Sequence, residues 1–213
     1  MNIVLDEAVN LLTVFVVDDD AAIRDSISLA LSLRGYQLRQ FASAEDFLNA
    51  AEDSWVGCVV ADIRMPGISG LQLQNELIKR DCLLPVVIIT GHGDVNSACQ
   101  AFRNSALDFL EKPFDFNQLI NAVENAFKKE RERIKSMTEK RKWESQFLLL
   151  SPREREVVGY LTRGLHAKEI GEQLGISHRT VEVHKAHIME KLGARNVIDI
   201  LRMGEKTSSV VEG

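Results

Sequence analysis

Short apolar runs alternate with longer stretches of helical periodicity over the first 127 residues of the chain. Runs made almost wholly of apolar residues predict strands that are buried on both faces of a sheet. They lie at residues 14–17, 57–61, 86–89 and 107–110, with a less apolar run at 36–41. This alternation predicts an α/β fold, a doubly wound five-stranded parallel sheet with helices on both faces.

The last third of the chain has a helical pattern without strands, and it opens with complete helix-start signals. Ser151 is suited to cap a helix, Pro152 to occupy its first turn, and Glu154 to close a capping box. Helices are predicted at about 151–164, 167–174, 177–192 and 196–203. The short turn at Gly175 is typical of a helix-turn-helix, so a small all-α domain is expected here.

These patterns divide the chain into an N-terminal extension at 1–11, a sheet domain at 12–127, a helical linker at 128–147 and a helix-turn-helix domain at 148–208. Residues 128–142 contain neither proline nor glycine, which favours a helix continuing out of the sheet domain. We interpret this segment as a solvated, charged connector. The alternative is a helix that pairs with a second chain, but its apolar stripe is thin for a coiled coil.

The net charge of −5 is divided unevenly along the chain. Residues 1–127 carry a net charge of −10, residues 128–147 carry +4 and residues 148–213 carry +1. Acidic and basic parts on one chain indicate different partners for each. Because the whole protein is acidic, any contact with nucleic acid must come from a local basic patch.

Composition is typical of a globular protein with an apolar core, at 45% hydrophobic residues. No apolar run approaches the length needed to span a bilayer, and residues 1–10 lack the basic start of a signal peptide. The cysteines, Cys58, Cys82 and Cys99, lack the spacing of metal ligands. These features predict a cytoplasmic protein with no membrane partner.

Polar side chains follow four of the predicted strands where each strand ends: Asp18 and Asp19, Asp62, Thr90, and Lys112. Ligands bind beyond the carboxyl ends of parallel strands, so we expect these groups to meet in one place. Clustered carboxylates need a cation, and an all-oxygen site with few protein ligands suits Mg²⁺. A carboxylate beside a metal, a hydroxyl and an ammonium is equipped for phosphoryl transfer through an acyl phosphate.

Four motifs at these strand ends resemble those of the receiver domain of response regulators. They are VVDDD at 16–20, DIRMPG at 62–67, TGHGD at 90–94 and DFLEKPF at 108–114. The resemblance covers residues 14–114, and the motifs are specific as a set. Ser105 departs from it, because receivers usually have a glycine in that turn.

The resemblance implies a role for each group at the strand ends. Asp62 is then the phosphoacceptor, Thr90 and Phe109 are the switch pair, and Lys112 is the phosphate-sensing lysine. It also implies a Mg²⁺ site with ligands from Asp19, Asp62, the backbone carbonyl of Arg64 and, through water, Asp18. A sensor histidine kinase would donate the phosphoryl group.

The C-terminal domain resembles the LuxR/NarL-type helix-turn-helix over about residues 148–205. The matching motifs are LSPREREV at 150–157, KEI at 168–170, LGIS at 174–177 and TVEVHK at 180–185. Ala167 stands where many members have asparagine. The order of domains, with GHGDV at 91–95, most resembles the FixJ-type subgroup. A protein-binding four-helix bundle is the alternative for this tail.

The helix predicted at 177–192 has one apolar face, formed by Val181, Ile188 and Leu192, and an opposite face suited to a major groove. The expected DNA contacts are Lys168, Arg179, Thr180, Glu182, Val183, Lys185 and Ala186. Glu182 is suited to accept from a cytosine amino group, and Val183 to contact a thymine methyl. The basic and hydroxyl side chains are suited to phosphates.

The combined resemblance implies a two-component response regulator and not an enzyme. Phosphorylation of Asp62 would reshape one surface of the receiver and drive homodimerisation. Candidate positions on that surface are Asn96, Cys99, Arg103 and Asp108. Two tails would then bind paired operator half-sites in double-stranded DNA. The expected output is regulation of transcription, most commonly activation, with RNA polymerase as a further partner.

Two other functions are compatible with parts of the sequence. The triplet at 18–20 superficially resembles the Asp-x-Asp of haloacid-dehalogenase-type phosphatases, with Asp18 as nucleophile and Asp20 as acid/base. Ala22 stands where such enzymes have Thr or Val, and Asp20 is equally suited to cap a helix that begins at Ala21. A response regulator that dimerises without phosphate is the third possibility, against which the intact acidic cluster argues.

Overall fold

The structure, a computed structural model, describes residues 12–91, 101, 103–104 and 106–205. It divides into two compact units, with the boundary between Ile134 and Lys135. The predicted extension at 1–11, residues 92–100 and 102, and Ser105 lie outside the described residues. Within the part that is described, no helix is long and apolar enough to cross a membrane.

Five parallel strands form the sheet of the first unit, in the order β2-β1-β3-β4-β5. The strands are β1 (Thr13–Val17), β2 (Gln37–Phe41), β3 (Gly57–Asp62), β4 (Val86–Thr90) and β5 (Asp108–Glu111). Val17 lies opposite Ala61, and Asp62 lies opposite Ile89. The predicted five-stranded parallel sheet is confirmed. The strand order reverses beside β1, so the carboxyl ends of β1 and β3 flank the crevice where such sheets bind ligands.

The helices of this unit begin at side-chain caps that the sequence predicted in part. They are α1 (Ala21–Ser32), α2 (Ala44–Ala50), α3 (Gly70–Lys79) and α4 (Phe116–Phe147). Asp20 caps α1 by accepting from the backbone N–H groups of Ala22 and Ile23, and Ser43 caps α2. The cap predicted at Asp20 is confirmed, and each of the two caps satisfies backbone donors that the helix itself leaves unpaired.

Alternating residues of the central strands fill two apolar clusters, one on each face of the sheet. On one face Val14 and Val60 pack with residues of α1 and α4. On the other face Phe15 and Val59 pack with residues of α2 and α3. Burial of each such side chain contributes about 1.5–3 kcal/mol to the stability of the fold. The packing on both faces of the sheet therefore holds the strand ends, and the polar groups that they carry, in fixed positions.

The helix α4 begins in the first unit, is 32 residues long and ends at Phe147, so it includes the helical linker predicted at 128–147. Ile134 is buried in the core of the first unit, whereas Trp143 and Phe147 are buried in the core of the second. Most residues between 135 and 142 are exposed. The stretch is therefore a solvated helix, and its C-terminal end is fixed by two aromatic side chains of the second core.

The second unit continues from that end of α4 as a bundle of short helices. These are α5 (Pro152–Thr162), α6 (Ala167–Leu174), α7 (His178–Leu192) and α8 (Val197–Glu205). The capping box between Ser151 and Glu154 is present as predicted. Gly175 has φ +64°, a left-handed conformation that glycine adopts without strain, and it ends α6 before the turn into α7.

Candidate functional site

The carboxyl ends of β1, β3, β4 and β5 bring together the side chains predicted to form the site. Lys112 Nζ lies 2.7 Å from Asp18 Oδ2 and 2.7 Å from Asp62 Oδ1. Its backbone N–H donates to the Thr90 carbonyl at 2.7 Å. Asp18, Asp62 and Thr90 are buried, with exposed fractions of 2%, 5% and 0%. The side chains of Asp18, Asp62 and Lys112 therefore meet at one edge of the sheet, although Asp18 and Lys112 are 94 positions apart in sequence, and Thr90 is joined to this group through its backbone carbonyl.

Each of the two buried carboxylates is held by a backbone amide on one oxygen and by Lys112 on the other. Asp18 Oδ1 accepts from the N–H of Asp20 at 2.9 Å. Asp62 Oδ2 accepts from the N–H of Arg64 at 2.7 Å. Amide and ammonium donors together offset the cost of removing the carboxylates from water. This arrangement fixes the direction in which Asp62 Oδ1 points.

Burial and pairing act in opposite directions on the ionisation of the site. Burial raises the pKa of Asp62, and Lys112 offsets this only in part. Burial alone would lower the pKa of Lys112, but its bonds to Asp18 and Asp62 outweigh this and raise the pKa. Lys112 therefore stays a cation at neutral pH. A carboxylate that is poorly solvated but kept beside a cation is suited to accept an electrophile that arrives with negative charge.

The donor set is compatible with a hard divalent cation. Asp18 and Asp62 offer oxygen only, and the exposed Asp19 lies next to Asp18 in the chain. Within the described ranges, no three or more His, Cys, Asp or Glu side chains are arranged as a metal site. Mg²⁺ commonly uses one or two protein carboxylates and fills its remaining positions with water. Two converging carboxylates are compatible with such a coordination.

The predicted switch residue Phe109 lies on β5, one strand away from Thr90. Its side chain is half-buried and packs against the apolar cluster on the α2/α3 side of the sheet. The neighbouring Asp108 is also half-buried, and its Oδ1 accepts from the Phe109 N–H at 2.8 Å. Phe109 is thus at the border between core and surface.

In the second unit, α7 presents the two faces that were predicted. Val181, Ile188 and Leu192 are buried, which confirms the apolar face. The residues of the opposite face that are exposed include Arg179, Thr180, Glu182, Val183, Ala186 and Glu190, and Lys168 of α6 is exposed as well. A helix with this face accessible can enter a major groove.

Two of the predicted DNA contacts are paired with each other. Lys185 Nζ lies 2.8 Å from Glu182 Oε1, and the Lys185 side chain is only 18% exposed. His178 Nε2 lies 4.0 Å from the same Glu182 oxygen. Sequence reasoning treated Glu182 and Lys185 as independent contacts, although their i,i+3 spacing on a helix is a signal for this pair.

Comparison with known proteins agrees with both units. Residues 14–124 match the response regulator receiver domain, and residues 148–204 match the luxR family of bacterial regulatory proteins. The transcriptional regulatory protein TdiR of Thauera aromatica is 40% identical over 94% of this chain and 88% of its own length. The transcriptional regulatory protein FixJ of Azorhizobium caulinodans is 42% identical over 90% of this chain and 91% of its own.

Solved structures give the same result. The response regulator StyR is 37% identical with a TM-score of 0.77, over 91% of this chain and 98% of that one. Full-length FixJ from B. japonicum is 36% identical with a TM-score of 0.56, over 93% of this chain and 98% of that one.

These matches exclude one of the functions that the sequence left open. The dehalogenase-type phosphatase is set aside, because the family is one of transcriptional regulators and accounts for both Asp62 and the helix-turn-helix. A receiver domain implies a kinase as partner, and a luxR-type helix-turn-helix implies DNA. The chain belongs to the response regulators of two-component systems, with an N-terminal receiver domain and a C-terminal luxR-type DNA-binding domain.

Proposed function

We propose that a sensor histidine kinase phosphorylates Asp62 and that the phosphorylated protein dimerises and binds operator DNA to regulate transcription. The observation that carries this proposal is the position of Lys112, whose ammonium contacts both Asp18 and Asp62 at 2.7 Å. A cation in that place is suited to stabilise the negative charge of a phosphoryl group arriving at Asp62.

In the transfer step, Asp62 Oδ1 attacks the phosphorus of a phosphohistidine. The new O–P bond forms as the N–P bond breaks, and the electron pair of that bond leaves with the kinase imidazole. Asp18, Asp19, Asp62 and the Arg64 carbonyl would hold Mg²⁺, which when bound supplies charge neutralisation at the phosphoryl oxygens. The Lys112 ammonium would leave the Asp62 oxygen and contact a phosphoryl oxygen of the product.

The signal then passes through β4 and β5. The Thr90 hydroxyl would donate to a phosphoryl oxygen, and the Thr90 carbonyl is bonded to the Lys112 N–H just beyond β5. A shift of Thr90 would therefore be transmitted to β5, where Phe109 would turn inward. The surface around β5, including Asp108 and Arg103, is the proposed dimer interface; Asn96 and Cys99 lie outside the described residues.

Dimerisation would bring two helix-turn-helix domains to paired half-sites. We assign Lys168, Arg179, Thr180 and Lys185 to phosphates, and Glu182, Val183 and Ala186 to base edges. The pair between Glu182 and Lys185 would have to open for both to contact DNA. We propose activation of transcription as the output, with RNA polymerase as a further partner and the cytoplasm, where chromosomal DNA is found, as the place of action.

The experiment that tests the phosphorylation step is intact mass and size measurement after incubation with Mg²⁺ and acetyl phosphate. We expect a phosphoryl adduct and a dimer for the wild type, and neither for Asp62→Asn. An adduct on Asp62→Asn would assign the phosphate to another residue. An adduct without a dimer would contradict the dimerisation step and place the switch within one chain.

A further inference from the structure

The loop between Asp62 and α3 is held by hydrogen bonds at two points. At its start the Arg64 N–H donates to Asp62 Oδ2 at 2.7 Å. Near its end the Ile68 N–H donates to Oε1 of Glu45 at 2.9 Å, across 23 positions of sequence. Glu45 lies in the first turn of α2. The segment that carries the Arg64 carbonyl is thus fixed both to the proposed phosphoacceptor and to a side chain of another element.

Glu45 fits closely against this loop. A Cβ atom built on Gly67 would lie 2.3 Å from Glu45 Oε1, and Gly67 has φ +74°. Only glycine is free of both the contact and the backbone strain at that position. Gly70, at the end of the loop, is restricted by a close contact alone, because a Cβ there would lie 2.2 Å from the Asp62 carbonyl oxygen. The path of the loop therefore depends on close contacts to Glu45 and Asp62.

The second carboxylate oxygen of Glu45 lowers the stability of the fold. A residue with a purely structural role in α2 would not need to bury it. Oε2 is buried and has no hydrogen-bond partner. A desolvated carboxylate oxygen without a partner is unfavourable. The helix itself does not need this carboxylate, because Asp46 already places an exposed negative charge in the same turn and Ser43 caps it.

We infer that Glu45 is a positioning residue for phosphoryl transfer. By accepting from Ile68 it holds the 64–68 segment, so that the Arg64 carbonyl stays available to Mg²⁺ and the Arg64 amide stays on Asp62. The inference rests on the proposed function, which assigns Mg²⁺ to that carbonyl. The first test of the inference is therefore made on the metal-free protein. A negative result there counts against the role of Glu45 and not against the proposed function.

That test is hydrogen–deuterium exchange of peptides covering residues 64–69 in the full-length protein without Mg²⁺. We expect about tenfold faster exchange in Glu45→Ala, because one end of the loop is released. Glu45→Gln retains an acceptor oxygen and restores most of the protection. Asp46→Ala removes a carboxylate from the same helical turn and leaves the loop unchanged. Equal exchange in Glu45→Ala and wild type would overturn the inference.

The second test separates metal binding from turnover. The initial rate of phosphorylation by acetyl phosphate is measured against Mg²⁺ concentration, beside calorimetric titration with Mg²⁺ alone. Glu45→Ala should need about three- to tenfold more Mg²⁺ for half-maximal rate, with a maximal rate close to that of wild type. A lower maximal rate at an unchanged Mg²⁺ requirement would overturn the positioning role. A wild type without any adduct would refute the proposed function, while the exchange experiment still decides the role of Glu45.

A variant on the other side of the contact keeps the inference testable if Glu45→Ala does not fold. Gly67→Ala places a Cβ against Glu45 Oε1 without removing the carboxylate. It should raise the Mg²⁺ requirement in the same way and release the same peptides to exchange. Wild-type behaviour of Gly67→Ala in both measurements would overturn the inference.

Discussion

Among single residues, Lys112 contacts two nearly buried carboxylates at once and balances one of their two negative charges. Its contacts to Asp18 and Asp62 are both 2.7 Å, while its own side chain is 21% exposed. An isolated charge in this position would be strongly unfavourable, and removal of one partner of a buried pair leaves the others uncompensated. We therefore expect the receiver to depend on this lysine for folding stability as well as for the proposed phosphoryl transfer.

Lys112→Ala should lower the free energy of unfolding of the receiver by about 3 kcal/mol in Mg²⁺-free buffer, and added Mg²⁺ should restore part of it. Because pairing raises the pKa of Lys112 in the folded state, this contribution is complete below the ordinary lysine pKa and is lost as pH rises through the folded value. Urea unfolding followed by Trp55 fluorescence in a Trp143→Phe background measures it.

The control for this experiment is Lys79→Ala, which removes an exposed lysine paired with Glu76. An exposed pair of that kind contributes well under about 1 kcal/mol. Equal stability of the Lys79→Ala and Lys112→Ala variants would show that Asp18 and Asp62 do not need a cation between them.

In the second unit, Glu154 is a buried carboxylate that is paired with a lysine, Lys191. Its ionisation makes the stability of that unit depend on pH in the acid range. Burial alone would raise its pKa, but Lys191 at 2.7 Å and the N–H and hydroxyl of Ser151 lower the pKa to about 2. A lowered carboxylate pKa stabilises the fold above the ordinary value near 4.5. That stabilisation is lost as pH falls from there towards about 2.

Glu154→Gln should therefore cost about 1–3 kcal/mol at pH 7 and remove the acid-dependent part of the stability. Trp143 lies in the core of the second unit, so its fluorescence in a Trp55→Phe background follows unfolding there. Glu156→Gln, which changes an exposed carboxylate of the same helix, serves as the control. A Glu154→Gln protein with the acid profile of wild type would show that the pair with Lys191 is not coupled to folding.

At the scale of elements, the sequence is most informative where its signals are local. Ser43 and Ser151 mark helix starts because a cap acts within three residues of itself. Even the contact between Lys112 and Asp18, 94 positions apart, was predictable, because parallel strands align their carboxyl ends by rule. The contact from Glu45 to Ile68 follows no such rule. It depends on where the first turn of α2 meets an irregular loop, and only the folded structure determines that.

The end of α4 illustrates the same limit. A helical linker to residue 147 was predicted and the helix ends at Phe147, but the sequence did not show that Trp143 and Phe147 enter the core of the next unit. Tertiary packing of such aromatic side chains stabilises the end of a helix beyond its local propensity. Sequence periodicity alone does not show which core a helical residue belongs to.

The helix α7 differs from its sequence-based prediction in the pairing of two charged residues. Lys185 is held by Glu182, so Glu182→Gln should free a cation on the helix that is proposed to contact DNA. We expect tighter binding to DNA of random sequence. The slope of log affinity against log salt, which is negative, should become more negative by about one. Fluorescence anisotropy at several salt concentrations measures both quantities.

Glu190→Gln is the matched control, since it removes the same charge from an exposed position two turns further along α7. Long-range attraction would strengthen binding in both variants, but only release of Lys185 adds a phosphate contact. The same slope for Glu182→Gln and Glu190→Gln would mean that Lys185 already contacts phosphate in the wild type.

At the scale of the whole molecule, the chain joins an acidic receiver to a tail without excess negative charge. Residues 1–127 carry −10, whereas residues 128–147 carry +4 and residues 148–213 carry +1. The field of the receiver opposes the approach of a polyanion over roughly a Debye length. In the proposed dimer, the two copies of α7 would therefore have to supply enough favourable contact with DNA to exceed this repulsion.

Removal of residues 1–134 should make random-sequence DNA binding about tenfold tighter at about 50 mM salt, and the difference from the full chain should vanish near 0.5 M as screening removes the repulsion. The remaining unit has an apolar core of its own, which includes Trp143, Ile170 and Ile188. Far-ultraviolet circular dichroism checks its folding, and anisotropy titrations at each salt compare the affinities. A difference of constant size at all salt concentrations would instead require a short-range contact of the receiver that covers the DNA-binding face, because a screened charge effect cannot persist at high salt.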